Sequence, residues 1–414
     1  MCGIASFLAS ALGLCDELIK HRGRDGFTRV ECASAPWTLV SSVLHIQGAE
    51  VASQPARDSE GNLLLWNGEV FGGMEIRADA SDTTCVMEKI AQVVAEQEDQ
   101  DVSGVGAALV RVLSAIQGPF ALIYFHTVSG TLFFARDAIG RRSLLVLREK
   151  EQLVHDKEAS STGTMCASSG GAIIGVSSVS LVPGTTPGDA NAHGGLSTFT
   201  LEEVEPAGVY SLNVKEPQSA GDMQLFPWPD GVVRLGHDCC IGVRTIESAS
   251  VSAPLHAVDS LPQPPQPSPA PTPALDRDAC AASLLRTLGD AVGRRVRSMT
   301  SAHSQGNDVT SASASCSAPV GVLFSGGVDS AVLACLLHMH VAPHLSIDLI
   351  NVCFLGPTAT GRTDGPLGSP DRLSAIVAWR NIQTIFPHRT WNLVHVDVTQ
   401  EERFAAEPHL TRLI

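Results

Sequence analysis

Two short stretches carry residue types able to do chemistry. At the amino end, Met1-Cys2-Gly3-Ile4 places a cysteine behind an initiator methionine that its small side chain allows to be removed. Cys2 would then hold a thiol and a free α-amino group, a nucleophile and a base on one residue. An α-amino group with an ordinary pKa near ~8 can take or relay the thiol proton without a neighbouring histidine. In the C-terminal half, an apolar strand over residues 320–324 runs into Ser325-Gly326-Gly327-Val328-Asp329-Ser330 and then a helix over 331–340. Glycines at 326 and 327 let the backbone approach an anion and turn successive N–H groups toward it, and the helix start adds its positive end. Ser325 and Ser330 can donate hydroxyls, and Asp329 could hold Mg²⁺. The loop lacks the Gly-Lys-Ser/Thr ending of a Walker loop. The plain alternatives are a cysteine that falls second by chance and a glycine turn that only joins strand to helix.

The elements that must position these residues fall into two textures. Residues 5–20 read as a short amphipathic helix (Phe7, Leu8, Leu12, Leu14, Leu18, Ile19) ending at His21-Arg22-Gly23-Arg24-Asp25-Gly26. From there to about residue 155 the pattern is strand-like, with runs at 37–46, 63–71, 120–125 and 132–134. The last two make a hairpin closed at Ser129-Gly130, and 143–147 with 152–155 make another. Residues 158–200 are a loose stretch rich in Ser, Gly, Thr and Ala, and further strands are expected at 172–176 and 209–214. Residues 248–275 include Leu261-Pro-Gln-Pro-Pro-Gln-Pro-Ser-Pro-Ala-Pro-Thr-Pro273, a polyproline-like spacer that marks a domain boundary. A helix over 276–299 ends in Arg294, Arg295 and Arg297, where cations suit the helix dipole, and a low-complexity insert over 300–318 follows. Beyond the Ser325–Ser330 loop come a strand (348–354), a helix (371–383) and a strand (390–398), an alternation that implies a parallel sheet.

At 414 residues with 44% apolar content, the chain can build two or three cores. Lys plus Arg number 28 against 43 Asp plus Glu, a formal charge of −15, which argues against nucleic acid or an anionic membrane as the main partner. The 11 cysteines form no CxxC pair, so a reducing, cytoplasmic setting without a disulfide framework or zinc site is expected. No window reaches the ~18 apolar residues of a membrane span.

The Ser-Gly-Gly-Val-Asp-Ser loop resembles the pyrophosphate loop of the ATP pyrophosphatases, and Met-Cys-Gly-Ile upstream of it resembles the glutamine-dependent asparagine synthetases. In that family a class II glutamine amidotransferase domain releases ammonia at its N-terminal cysteine, and a synthetase domain adenylates aspartate. Trp66-Asn67-Gly68-Glu69 resembles the family's Asn-Gly-Glu, whose Asn side chain and Gly N–H form an oxyanion hole. Arg22-Gly23 and Asp25-Gly26 resemble its Arg-Gly-Pro-Asp-Gly loop, with Arg24 in place of proline. Ser81-Asp82-Thr83 resembles the Ser-Asp-Thr whose aspartate receives the glutamine α-amino group. Gln117-Gly118-Pro119-Phe120-Ala121 and the run from Ala135 to Arg142 resemble the Gly-X-Phe-Ala and Ala-Arg-Asp-X-X-Gly strands. The wording around Leu65 to Phe71, Gly140 to Leu144 and Arg389 to Leu393 is most similar to one branch, the asparagine synthetase domain-containing proteins.

Two departures stand beside these matches. An arginine that binds the glutamine α-carboxylate in the parent family is replaced in the run Val43-Leu44-His45-Ile46. Losing such a contact costs roughly 1.5–3 kcal/mol unless His45 or Arg57 substitutes. The family's second glycine-rich loop, which serves the adenylate, has no counterpart after Phe354.

The resemblance implies an α+β N-terminal nucleophile αββα sandwich over 1–215, a low-complexity linker over 216–275, and over 276–414 an α/β parallel-sheet ATP-pyrophosphatase (adenine nucleotide α-hydrolase-like) domain, incomplete at the C-terminus. It implies Cys2, Asn67 and Gly68 as catalytic residues, and Arg22, Gly23, Glu69 and Asp82 for glutamine. Ser325, Gly326, Gly327, Val328, Asp329, Ser330 and Val352 would bind ATP, with Asp329 on Mg²⁺. The expected substrates are glutamine, aspartate and ATP, with a homodimer left open. The rival readings are another class II amidotransferase, which the Ser325–Ser330 loop disfavours, and a relative that keeps the fold as a binding or scaffold module.

Overall fold

The computed structural model describes residues 2–8, 16–32, 35–46, 50–77, 79–97, 101–149, 172–179, 199–215, 223–229, 276–304, 320–354 and 369–413. The N-terminal part is built on two six-stranded antiparallel sheets. One has the order β10-β8-β9-β1-β3-β2, formed by β1 (Gly3–Leu8), β2 (Gly26–Glu31), β3 (Trp37–Val43), β8 (Leu145–Glu149), β9 (Ile173–Ser177) and β10 (Phe199–Glu203). The other has the order β12-β11-β7-β6-β5-β4, formed by β4 (Ala56–Arg57), β5 (Leu63–Gly68), β6 (Phe120–His126), β7 (Thr131–Arg136), β11 (Gly208–Asn213) and β12 (Gln224–Pro227).

Three apolar layers hold these sheets. Between them lie Ile4, Leu39, Leu65, Ile123, Phe134 and Val176. On the outer face of the second sheet, Trp66, Phe120, Tyr124 and Phe133 pack under the helices α2 (Asp82–Ala95) and α3 (Val102–Leu113). On the outer face of the first, Ala5, Phe7 and Val40 pack under α1 (Asp16–Lys20). The sandwich with helices outside is therefore present, although its outer layer on the first sheet is, among the described residues, this one short helix.

The layering explains where the sequence misleads. Residues 3–8 form a strand, with a helix only from Asp16. β1 lies between β3 and β9, and Ile4 to Phe7 are buried on both faces, so the run shows no alternation and an apolar period cannot tell it from a helix. The region expected to be strand-like throughout contains α2 and α3. Their caps are readable in retrospect: the Ser81 hydroxyl accepts from the Thr84 N–H at 3.2 Å, and the Asp101 carboxylate from the Gly104 N–H at 2.7 Å. β8 pairs with β9 and β10; the expected partner at 152–155 lies outside the described residues. The second sheet also runs past residue 215, because β12 pairs with β11 and Trp228 packs edge-on against Phe120. Residues 230–275, with the proline-rich stretch, lie outside the described residues.

The C-terminal part has a three-stranded parallel sheet, β13 (Val320–Leu323), β14 (Ile347–Phe354) and β15 (Trp391–Val398), with α4 (Arg277–Ser304), α5 (Val328–His340), α6 (Pro370–Ile385) and α7 (Gln400–Leu413). Val296, Phe324, Leu337, Leu349, Ala375 and Trp391 form its core. Helix α4 runs on to residue 304, so it takes in part of the stretch expected to be low-complexity. Its arginines do more than complement a dipole. Arg294 donates to the Gln117 side-chain oxygen at 2.5 Å, and the Arg295 guanidinium lies 4.5 Å above the Phe71 ring, tying α4 to the N-terminal part. Among the described residues no helix is long and apolar enough to cross a membrane.

Candidate active site

Cys2 sits at the head of β1, at the mouth of a narrow pocket lined by the ends of β3 and β5 and the first turn of α2. The β1–β3 register places Gly3 opposite Ser42, and a Cβ on Gly3 would come within 2.8 Å of the Ser42 hydroxyl and of the Ile19 carbonyl. Glycine at this position is therefore what lets the N-terminus lie flat against its neighbours. The Leu44 N–H donates to Cys2 Sγ at 3.4 Å. Burial pushes the Cys2 thiol above its ordinary value; the Leu44 N–H and the amino terminus pull it down, and Asp82 and Glu69 push it up. A thiol so placed holds its proton at neutral pH and needs a base to become a nucleophile.

Asn67, Gly68, Glu69 and Asp82 line the same pocket as Cys2. Asn67 is 1% exposed, and its side-chain NH₂ is buried with no hydrogen-bond partner. A buried donor left unmade costs about 1–3 kcal/mol, so its presence in one pocket with a thiol points to a partner that a bound ligand supplies. Gly68 has no room for a side chain, since a Cβ would meet Phe120, the Pro119 carbonyl and the Trp66 ring at 2.7–2.8 Å. The strand end carrying both residues is held by Gln54, whose side-chain amide donates to the Trp66 carbonyl at 2.9 Å and accepts from the Trp66 N–H at 2.8 Å. Gln54 stands in for a neighbouring strand.

The Asp82 carboxylate is fixed by the Trp66 indole N–H at 3.1 Å and the Thr83 N–H at 2.7 Å. Burial raises its pKa and these donors oppose the rise. Glu69 is pushed up to about 7 by burial and then by Asp82, with Arg142 pulling the other way.

That shift carries a sign. Between the ordinary 4.5 and about 7, the folded chain keeps a Glu69 proton that the unfolded chain has lost. Stability attributable to Glu69 therefore falls as pH rises through this window and levels off above it, by on the order of 2 kcal/mol. Urea unfolding at pH 5 and pH 8 is expected to show Glu69→Gln gaining on the native sequence by that amount at the higher pH. Equal differences at the two pH values would show that Glu69 ionises normally.

Arg22 and Gly23 stand behind the pocket wall. The Arg22 guanidinium donates to the Ser143 hydroxyl and the Ser178 carbonyl, both at 3.4 Å. Gly23 lies so close to β3 that a Cβ would come within 2.6 Å of the Val43 backbone. The Asp25 N–H donates to the Val43 carbonyl at 2.9 Å and its carboxylate accepts from the His45 N–H at 2.8 Å. This loop thus buttresses the wall at 43–45. Val43 and His45 line the pocket, whereas Arg57 is exposed on β4 and stands outside the lining. Sequence reasoning gave no role to the polar lining residues Gln54 and Arg142, because neither belongs to a motif with a chemical role of its own.

The second group of expected residues gathers where β13 ends. Gly326 has φ +80°, and a Cβ there would lie 2.3–2.5 Å from the Ser374 and Ala375 backbone of α6. Gly327 caps α5 without a side-chain bond, Ser330 donates to its carbonyl at 3.0 Å, and the Ser325 hydroxyl accepts from its N–H at 3.3 Å. Val328, Asp329 and Val352 belong to the same corner: the first two open α5, and the Phe324 N–H donates to the Ile350 carbonyl on β14, two residues before Val352. Among the described residues no group of three or more His, Cys, Asp or Glu side chains is gathered as for a metal ion. A single exposed carboxylate suits only a Mg²⁺ that takes its other ligands from phosphate and water.

A glutamine amidotransferase domain family matches residues 41–160. Asparagine synthetase domain-containing protein 1 of Homo sapiens is 26% identical and that of Bos taurus 24%, each over 93% of this chain. The chain spans 64% of the length of each of these two relatives. A Saccharomyces cerevisiae asparagine synthetase domain-containing protein is 30% identical over 32% of this chain and 24% of its own. A solved glutamine phosphoribosylpyrophosphate amidotransferase from B. subtilis superposes with a TM-score of 0.36 at 14% identity, over 56% of this chain and 50% of that one. The chain is similar over most of its length to the asparagine synthetase domain-containing proteins, and its residues 41–160 match a glutamine amidotransferase domain family.

Proposed function

We propose that the chain releases ammonia from glutamine at Cys2 and that its C-terminal part serves ATP-dependent transfer of that nitrogen to aspartate. The observation that carries the reading is the unpartnered, buried Asn67 NH₂ in one pocket with the Cys2 thiol. With Met1 removed, the Cys2 α-amino group takes the thiol proton and sulfur attacks the amide carbon. Negative charge forms on the carbonyl oxygen, where Asn67 and Gly68 donate. The C–N bond breaks as the amino group returns the proton to the leaving nitrogen, and water then hydrolyses the thioester to glutamate. Asp82 takes the substrate α-ammonium, which also relieves the cost of its burial.

At the second site, Ser325 to Ser330 would hold the pyrophosphate of ATP, with Val352 beside the nucleoside. Aspartate would be activated as β-aspartyl-AMP and ammonia would displace AMP. Mg²⁺, where bound, would neutralise phosphate charge, with Asp329 as its carboxylate. Buried, apolar Val43 in the pocket wall favours a second reading, a catalytically impaired relative acting as a binding or scaffold module.

Intact-mass analysis separates the two. Loss of Met1 and a single adduct with 6-diazo-5-oxo-L-norleucine, absent from Cys2→Ala, are expected, together with glutamine-dependent ammonia release. Retained Met1, or no adduct at saturating reagent, would leave the scaffold reading standing.

A further inference from the structure

We infer that Arg142 receives the α-carboxylate of the substrate in place of the arginine absent at Val43, so that the pocket takes free glutamine in preference to a glutamine side chain within a peptide. The inference rests on the glutamine reading of the site and names a determinant of its substrate class. Among the described residues that line the pocket, Arg142 alone carries a permanent positive charge. Its guanidinium Nε is buried with no hydrogen-bond partner, the same condition as the Asn67 amide. Two residues that each keep a buried donor unmade thus line one cavity, one suited to a developing oxyanion and the other to a carboxylate.

The guanidinium is mounted on a rigid turn. The Arg142 carbonyl accepts from Arg136 Nε at 2.6 Å, and Arg136 is itself buried and donates to the Val204 carbonyl at 3.0 Å. On one side Arg141 donates to Asp137 at 2.9 Å and to the Gly118 carbonyl at 2.7 Å. On the other, the Ser143 hydroxyl donates to the Ser178 carbonyl at 2.6 Å. A planar guanidinium held this way suits a carboxylate. Asp82, on the first turn of α2, supplies the opposite charge for the α-ammonium. An amino acid with both head groups free satisfies both walls, whereas a peptide-bound residue satisfies neither.

The test compares labelling of Cys2 by 6-diazo-5-oxo-L-norleucine, by its α-carboxamide, and by iodoacetamide, in the native chain, Arg142→Ala and Arg142→Lys. The native chain is expected to react with the free acid ~10- to 100-fold more efficiently than with the carboxamide, through a lower half-saturating concentration. Arg142→Ala is expected to lose that preference and keep its iodoacetamide rate, and Arg142→Lys to regain part of it. Arg142→Ala that keeps the preference at native half-saturation would overturn the inference alone. A native chain that takes iodoacetamide but neither glutamine analogue would overturn the glutamine reading and the inference with it. An Arg142→Ala that loses iodoacetamide labelling has a disturbed pocket; Arg142→Lys then decides, its native-like preference supporting a charge contact and its loss of all preference with intact iodoacetamide reactivity opposing one.

Discussion

Replacing Asn67 by alanine is expected to cut glutamine hydrolysis ~100- to 1,000-fold while leaving Cys2 as reactive toward iodoacetamide as before. The separation follows from what Asn67 touches. Its amide makes no contact that stabilises the resting thiol; Cys2 is instead held by the Leu44 N–H, and Asn67 NH₂ waits without a partner. Removing a donor that is used only when the carbonyl oxygen becomes an anion should lower kcat and kcat/KM together and leave KM nearly unchanged. The same truncation removes a buried orphan, so the variant should melt no lower than the native chain. A rise in KM at constant kcat would place Asn67 in ground-state binding instead, and a large fall in melting temperature would make it a structural residue.

The second large effect is expected far from the thiol. Arg389→Ala should destabilise the C-terminal part by roughly 3 kcal/mol. Arg389 is 5% exposed, and its guanidinium reaches four carbonyls and one ring nitrogen. It donates to His338 Nδ1 at 2.8 Å and to the carbonyls of His338 at 3.2 Å, Val341 at 2.6 Å, Ala342 at 3.1 Å and Leu345 at 2.7 Å. The His338 carbonyl lies in the last turn of α5 and the other three in the turn that follows it, so one side chain closes the helix and seats the turn into β14. His338 is in turn stacked on Phe386 at 4.0 Å between ring centroids. Lysine cannot reproduce a fork with this many directions, and Arg389→Lys should recover less than half of the loss. Hydrogen exchange over α5 is the direct readout; unchanged protection there would mean that the carbonyls are satisfied by water.

Motif spacing pointed to residues that share one pocket, and the scaffold was less legible. Cys2, Asn67 and Asp82 are far apart in sequence yet line one pocket, because the head of β1, the end of β5 and the first turn of α2 meet there; each alone would read as an ordinary residue, and it was their order along the chain that singled them out. The hairpin at Ser129-Gly130 and the parallel strands 347–354 and 391–398 were readable from turn residues and β-branched runs. Residues 3–8 were not, because a strand buried on both faces shows no period of two. Helices α2 and α3 were obscured by the search for strands, although Ser81 and Asp101 are conventional caps. Arg142 was quoted only as part of a run of letters; nothing short of the fold brings it across to the wall that Val43 leaves apolar.

The pairing of β1 has a consequence for the order of assembly. β1 gains its second neighbour only from β9, where Ile4 donates to the Ser178 hydroxyl at 3.0 Å and accepts from the Ser178 N–H at 2.9 Å. A contact spanning 174 residues closes late, after shorter loops have formed. The strand that follows Cys2 thus completes its pairing later than its shorter-range ladder with β3. Until β9 arrives, β1 keeps one edge unpaired over Ala5 to Phe7, an open ladder that another strand could occupy.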